Sequence, residues 1–125
     1  MRAATQLTLE PLYARAASVT ADHSKSFYFA TRFFPPHLAR SAHAVYWFCR
    51  YTDDLVDECS DPEQGRRELD RWAAEIEHGF AHGFSEHPVL IPFLDAQRRH
   101  RIPREYAREL IVGMRMDLNN TRYRN

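Results

Sequence analysis

Seven prolines and a few short polar clusters cut this chain into helix-sized blocks, and within the blocks apolar residues recur at steps of three and four. No run of strict apolar/polar alternation is long enough for a half-buried strand, so period and punctuation together predict an all-α fold. The spacing predicts a first helix over about 9–21. A second starts near Asp22 or Ser24, either of which can cap it, and runs through Phe27, Tyr28, Ala30 and Phe33 until Pro35-Pro36 stops it. The longest block runs from about His37 to Glu58, with Pro36 suited to its first turn. A fourth helix follows Asp61-Pro62, carries Leu69, Trp72, Ala73, Ile76 and Phe80 as a buried stripe, and ends around Gly79 to Gly83. His87 to about Arg101 reads as a fifth, proline-containing helix. Pro103 opens a sixth, through Tyr106, Leu110, Met114 and Leu118.

The 125 residues have the length of one modest domain, and with 44% apolar and 27% charged content they can bury a core. The 17 basic residues balance the 17 acidic ones, so no overall field draws the chain to nucleic acid, which is excluded as an expected partner. Charges interrupt every apolar run well short of the roughly 20 residues that a bilayer span needs. Glu10 and Pro11 break the N-terminal stretch before an export signal develops, so the chain reads as cytoplasmic. Cys49 and Cys59 are expected to be free thiols that serve packing.

On a helical wheel, Val45, Phe48, Cys49, Thr52, Leu55 and Val56 fall on one side of the third helix and read as its core stripe. Beside them Tyr46, Arg50, Asp53 and Asp57 follow at steps of four, three and four and form one column. Two carboxylates a turn apart present hard oxygens of the kind Mg²⁺ selects, and Mg²⁺ commonly bridges such acids to substrate phosphates. Asp54 and Glu58 deepen the negative charge, which costs stability unless a cation neutralises it. Arg50 has the planar fork to meet either a carboxylate or a phosphate. Against this stands a plainer reading, a solvated acidic helix end with Arg50 bridging to Asp53 or Asp54.

His23, Ser24, Lys25 and Ser26 lie where the second helix begins, and a helix start offers free N–H groups and partial positive charge to an anion. A capping sequence with a surface lysine explains the same residues more simply. Taken together, an anion-receiving helix start and a metal-receiving helix face describe a diphosphate site. Phe27, Tyr28, Phe29, Phe33, Phe34, Tyr46, Trp47, Phe48 and Tyr51 belong by default to the core. Collectively they could line an apolar tunnel, and an aromatic face such as that of Tyr46 can steady a carbocation.

These residues resemble the squalene/phytoene synthase family, the head-to-head trans-isoprenyl diphosphate synthases. The resemblance is carried by His23-Ser24-Lys25-Ser26-Phe27, by Phe34-Pro35-Pro36 and by the run from Ala44 to Glu58. Gly113-Met114-Arg115-Met116-Asp117-Leu118 with Arg122-Tyr123 looks like bacterial phytoene synthases. The resemblance implies the N-terminal part of an all-α isoprenoid-synthase fold, with 1–125 as a single incomplete domain. It implies Mg²⁺-dependent joining of two prenyl diphosphates, farnesyl or geranylgeranyl, through a cyclopropylcarbinyl diphosphate. By position, Asp53 and Asp57 resemble the metal ligands of the first aspartate-rich motif. His23, Ser24, Lys25, Ser26, Tyr46 and Arg50 resemble residues that hold diphosphates, and Tyr46 joins the two aspartates as a catalytic candidate.

Two departures shape what is expected. Trp47 stands where the family more often has a small residue, and the second aspartate-rich helix that completes the family's metal site does not appear in this sequence. The 125 residues alone are therefore expected to have little synthase activity and to self-associate through exposed apolar faces. Peripheral membrane association through an apolar product is a further expectation. One alternative is a non-catalytic helical interaction module derived from such an enzyme. Another is a carboxylate di-metal bundle, prompted by the Glu-x-x-His of Glu75 and His78, although such bundles need two of these pairs.

Overall fold

The computed structural model describes residues 2–121, with side chains described from Leu9 to Asn119. Six helices follow one another: α1 (Arg2–His23), α2 (Lys25–Thr31), α3 (Pro36–Asp57), α4 (Pro62–His82), α5 (Leu90–Arg99) and α6 (Arg104–Thr121). Among the described residues there is no strand, as the absence of alternating runs predicts. No helix among them is long and apolar enough to cross a membrane.

The helix boundaries lie where local chemistry sets them. Ser24 breaks α1 from α2 and caps the latter, its hydroxyl accepting the Phe27 N–H at 3.4 Å. Pro36 sits at the first position of α3, where its missing N–H costs nothing. Asp61 caps α4 by accepting the Gln64 N–H at 2.8 Å, and Gly83 ends that helix in the left-handed region at φ 78°. α1 starts well before the expected residue 9, and Pro11 lies inside it. α5 is shorter than predicted because His87 remains outside the helix, accepting the Val89 N–H on Nδ1 at 3.1 Å.

α3 is the hub and packs against each of the other five helices. Its buried Phe48 shares one cluster with Leu69, Trp72, Ile76 and Phe80 of α4, Phe93 and Leu94 of α5, and Ile111, Met114 and Leu118 of α6, while Ala44 belongs to a second cluster with Leu9 and Tyr13 of α1 and Ala96 of α5. Phe48 stacks on Phe93 with ring centroids 3.9 Å apart. Burying each such side chain is worth about 1.5–3 kcal/mol. One polar group enters this core fully satisfied: the Thr52 hydroxyl donates to Phe48 O and accepts the Trp72 indole N–H, each at 2.8 Å. α3 therefore cannot roll about its axis without breaking that pair, and this fixes which of its faces looks away from the core.

Candidate functional site

Stepping round α3 at about 100° per residue separates three arcs. Ser41, Ala44, Phe48 and Thr52 are buried. Next come Ala42, Val45, Tyr46 and Cys49, which line an open apolar groove of about 490 Å³. Arg50 and Asp57 form the third arc beyond that edge, and Asp53 falls at its border, between Ala42 and Tyr46 in angle and about two turns past Tyr46 along the helix. Cys49, expected on the core stripe, is exposed instead. The six residues assigned to that stripe span too wide an arc for one neighbour to cover, and the core is centred nearer Ala44 and Phe48. Cys59 is also free, its thiol donating to Leu55 O at 2.9 Å.

Asp53 and Asp57 are exposed on the outward arc, and no ion pair involves either of them among the described residues. Partial desolvation, then the Asp57 carboxylate, pushes Asp53 above its ordinary carboxylate value, against the opposing pull of Arg50. Asp54 and Asp117 add to the repulsion, so α6 contributes to the field here. Arg50 turns to the neighbouring acid, with Nε 3.3 Å from Asp54 Oδ1. That contact lacks hydrogen-bond geometry and leaves Nε buried without an acceptor. The structure thus brings the two aspartates together and divides the column, with Arg50 leaning toward Asp54. These contacts are those of the plainer reading, with Asp53, Asp57 and Glu58 exposed and Arg50 bridging to Asp54.

His23 is the last residue of α1, and Lys25 and Ser26 are exposed in the first turn of α2. The Ser24 hydroxyl is occupied in capping, so Lys25, Ser26 and His23 are the side chains of this segment that face solvent. Two contacts tie α2 to α3. Phe27 stacks on Tyr46 with centroids 5.7 Å apart, and Tyr28 stacks on His43 at 5.3 Å. Buried His43 also lies 2.8 Å from Thr31 Oγ1, whose single proton goes to Tyr28 O at 2.7 Å, so His43 Nε2 is the donor. Its burial lowers the His43 pKa and favours that neutral form. Tyr46 precedes Asp53 by seven residues, so the helix start abuts the Asp column about 10 Å along α3 from the carboxylates. Spacing alone does not reveal that His43 anchors this junction.

The groove runs between α2, α3 and the α5–α6 connection, walled by Phe27, Leu38, Val45, Tyr46 and Ile102, with His100 at one side. His100 Nε2 bonds to Ser41 Oγ at 2.9 Å and so belongs to the scaffold. Trp47 lies outside this lining and packs on the main core. Among the described residues no three His, Cys, Asp or Glu side chains converge to hold a metal unaided. The di-metal reading finds no support in the α4 acids. Glu77 takes two N–H bonds from Arg108, at 2.8 and 2.9 Å, and Glu75 acts electrostatically on Tyr51 and His87.

The arrangement is one oxygen-ligand pair, one cationic helix start and one apolar groove sharing a face, which suits a molecule with an anionic head and a hydrocarbon tail. Comparison with known proteins gives the family. The squalene/phytoene synthase family profile matches residues 20–125. The chain is 33% identical over 119 residues to a phytoene synthase of Arthrospira platensis, covering 95% of this chain and 38% of that protein. It is 34% identical over 121 residues to the chloroplastic phytoene synthase of Narcissus pseudonarcissus, covering 97% and 28%. With a 15-cis-phytoene synthase of Synechocystis it shares 33% over 116 residues, covering 93% and 34%. The chain thus spans less than two-fifths of the length of these relatives. By the match over residues 20–125, and by the all-α fold that bears it, this chain belongs to the squalene/phytoene synthase family.

Proposed function

We propose that this chain contributes the first metal-binding and diphosphate-binding face of an enzyme that joins two prenyl diphosphates head to head, of the phytoene or squalene/dehydrosqualene synthase type. The observation that carries the reading is the adjacency of Asp53 and Asp57, exposed and without an ion-pair partner among the described residues, on the helix that also lines an apolar groove. The donor set fits Mg²⁺, because both side chains offer hard carboxylate oxygens and their mutual repulsion is relieved by a cation. When bound, Mg²⁺ would neutralise charge on a departing diphosphate as a Lewis acid.

The chain's own residues then divide the work. Asp53 and Asp57 hold the ion; Arg50 reaches for a phosphate oxygen through its two terminal nitrogens; His23, Lys25 and Ser26 receive a diphosphate at the start of α2, which Ser24 caps. The groove takes the farnesyl or geranylgeranyl tail and keeps water from the allylic carbon. Tyr46 stands between the groove and the carboxylates, where its ring face can steady the allylic cation. In the reaction proposed, the C–O bond of one diphosphate breaks. A double bond of the second substrate captures the cation, and loss of a proton closes the cyclopropylcarbinyl diphosphate. An apolar product of this kind favours release at a membrane surface.

A two-carboxylate site open on one side supports binding better than turnover, so the 125 residues by themselves are expected to bind and to react weakly. The test is binding of a non-ionisable farnesyl or geranylgeranyl thiodiphosphate with Mg²⁺ or with chelator. Mg²⁺-dependent binding that Asp53→Ala and Asp57→Ala each abolish is the expected result. The absence of any three-ligand set among the described residues favours one second reading, a helical module that docks a partner without catalysis. Ligand binding indifferent to both substitutions and to chelator would establish that module and remove the synthase reading.

A further inference from the structure

Two histidines that the proposed function leaves idle stand one turn apart on the outer side of α4. His78 and His82 are both exposed, and their ring centroids lie 4.2 Å apart with planes 41° from parallel. The backbone beneath them is anchored: Ile76, Gly79 and Phe80 are buried, and Gly83 N–H closes the helix on Gly79 O at 2.8 Å. The rings stand in solvent, His82 with the edge-to-face Phe84 ring 6.3 Å away, while their attachment points are fixed.

We propose that His78 and His82 form a two-imidazole chelate for a divalent transition metal of the Zn²⁺ or Ni²⁺ class, a site distinct from the carboxylate face of α3. Imidazole nitrogens suit Zn²⁺, Ni²⁺ and Cu²⁺, whereas Mg²⁺ prefers oxygen, so the two sites sort metals by ligand softness. An i,i+4 histidine pair on a helix is also the spacing by which metalloprotease helices present two ligands to Zn²⁺. Metal–nitrogen bonds of about 2.0–2.1 Å bring two ligating nitrogens to about 3 Å of each other. Rings already this close reach that separation by side-chain rotation, and being exposed they give up little hydration. His82 lies in the last turn of α4, where the partial negative charge of the helix end favours a dication. Arg98, a cation at the same end, is engaged on Gly83 O. No third His, Cys, Asp or Glu joins the pair among the described residues, so water completes the coordination.

Titration of the whole chain at neutral pH with Ni²⁺, Zn²⁺ and Mg²⁺ in turn tests the site, read by calorimetry and by paramagnetic broadening of amide NMR signals by Ni²⁺. One saturable site is expected for Ni²⁺ and Zn²⁺, with broadening centred on residues 78–82 and no competition from Mg²⁺. His78→Gln and His82→Gln should each weaken binding by at least about tenfold, because loss of one arm removes the effective concentration supplied by the other. His37 and His100 form a second ring pair, with centroids 6.1 Å apart, and supply the control. Unchanged affinity in His78→Gln and His82→Gln, loss confined to His37→Gln, or no Ni²⁺ binding at all would overturn the proposal. None of these outcomes bears on Asp53 or Asp57, so the site and the proposed function fail separately.

Discussion

At the scale of single residues, Asp53 shows a site that the fold tolerates at a cost. Its carboxyl is held above its ordinary value by desolvation first and by Asp57 second. A carboxyl whose folded pKa exceeds its unfolded one binds its proton more tightly in the folded state, so stability falls as pH rises through that interval. Below the ordinary carboxylate range both states are protonated alike and the cost is absent. Asp53→Asn removes the charge without changing shape. It should stabilise the chain at neutral pH by up to about 0.5 kcal/mol, the size of one like-charge pair on a helix. The gain should shrink with added salt and vanish in acid. Urea unfolding of both forms at neutral and acidic pH measures this, and a less stable Asn variant at neutral pH would contradict it. The same variant is expected to lose Mg²⁺-dependent diphosphate binding, which would place stability and function in opposition at one atom group.

At the scale of helices, neighbouring surfaces decide what an identical substitution does. An added Cβ at Gly79 would lie 2.9 Å from Leu94 Cδ1, and Leu94 is only 2% exposed, with little room to yield. At Gly113 nothing lies within 4 Å. Replacing helical glycine by alanine gains about 0.8–1 kcal/mol of intrinsic propensity. Gly113→Ala should therefore raise the thermal midpoint, whereas Gly79→Ala should lower it through the α4–α5 contact; equal shifts in both would show that this packing is not felt. The boundaries at Ser24, Pro36, Asp61 and Gly83 were legible from sequence, because these residues act through their own backbone neighbourhood, whereas the start of α1 and both ends of α5 were not. The Asp53–Asp57 juxtaposition was legible for the same reason, being an i,i+4 step. What spacing could not reveal depends on tertiary contact. Arg50 can reach acids at i+3 or i+4 and turns to Asp54; Cys49 borders an open groove where a core neighbour was expected; His43 joins Thr31 across two helices.

At the scale of the whole molecule, a formal net charge of zero conceals an uneven distribution. No acidic residue occurs between Asp22 and Asp53, a stretch that contains Lys25, Arg32, Arg40 and Arg50. The same stretch exposes Phe33 at 77%, Phe29 at 56%, Phe34 at 39% and Leu38 at 38%. Phe29 and Phe33 meet edge to face at 5.5 Å, and Arg32 lies over the Phe29 ring, so these two rings form one projection with a cation at its border. Clustered apolar surface favours association, while a shared positive border opposes bringing two copies together. Salt screens the second effect and leaves the first intact. Sedimentation of the chain over a range of concentrations should accordingly show self-association that strengthens as ionic strength rises, the reverse of a salt-bridged interface. Phe29→Ser combined with Phe33→Ser, both at exposed positions, should weaken it without unfolding the helices. Monomers at every concentration and salt, or association that the double substitution leaves unchanged, would mean that this aromatic end does not drive contact between copies.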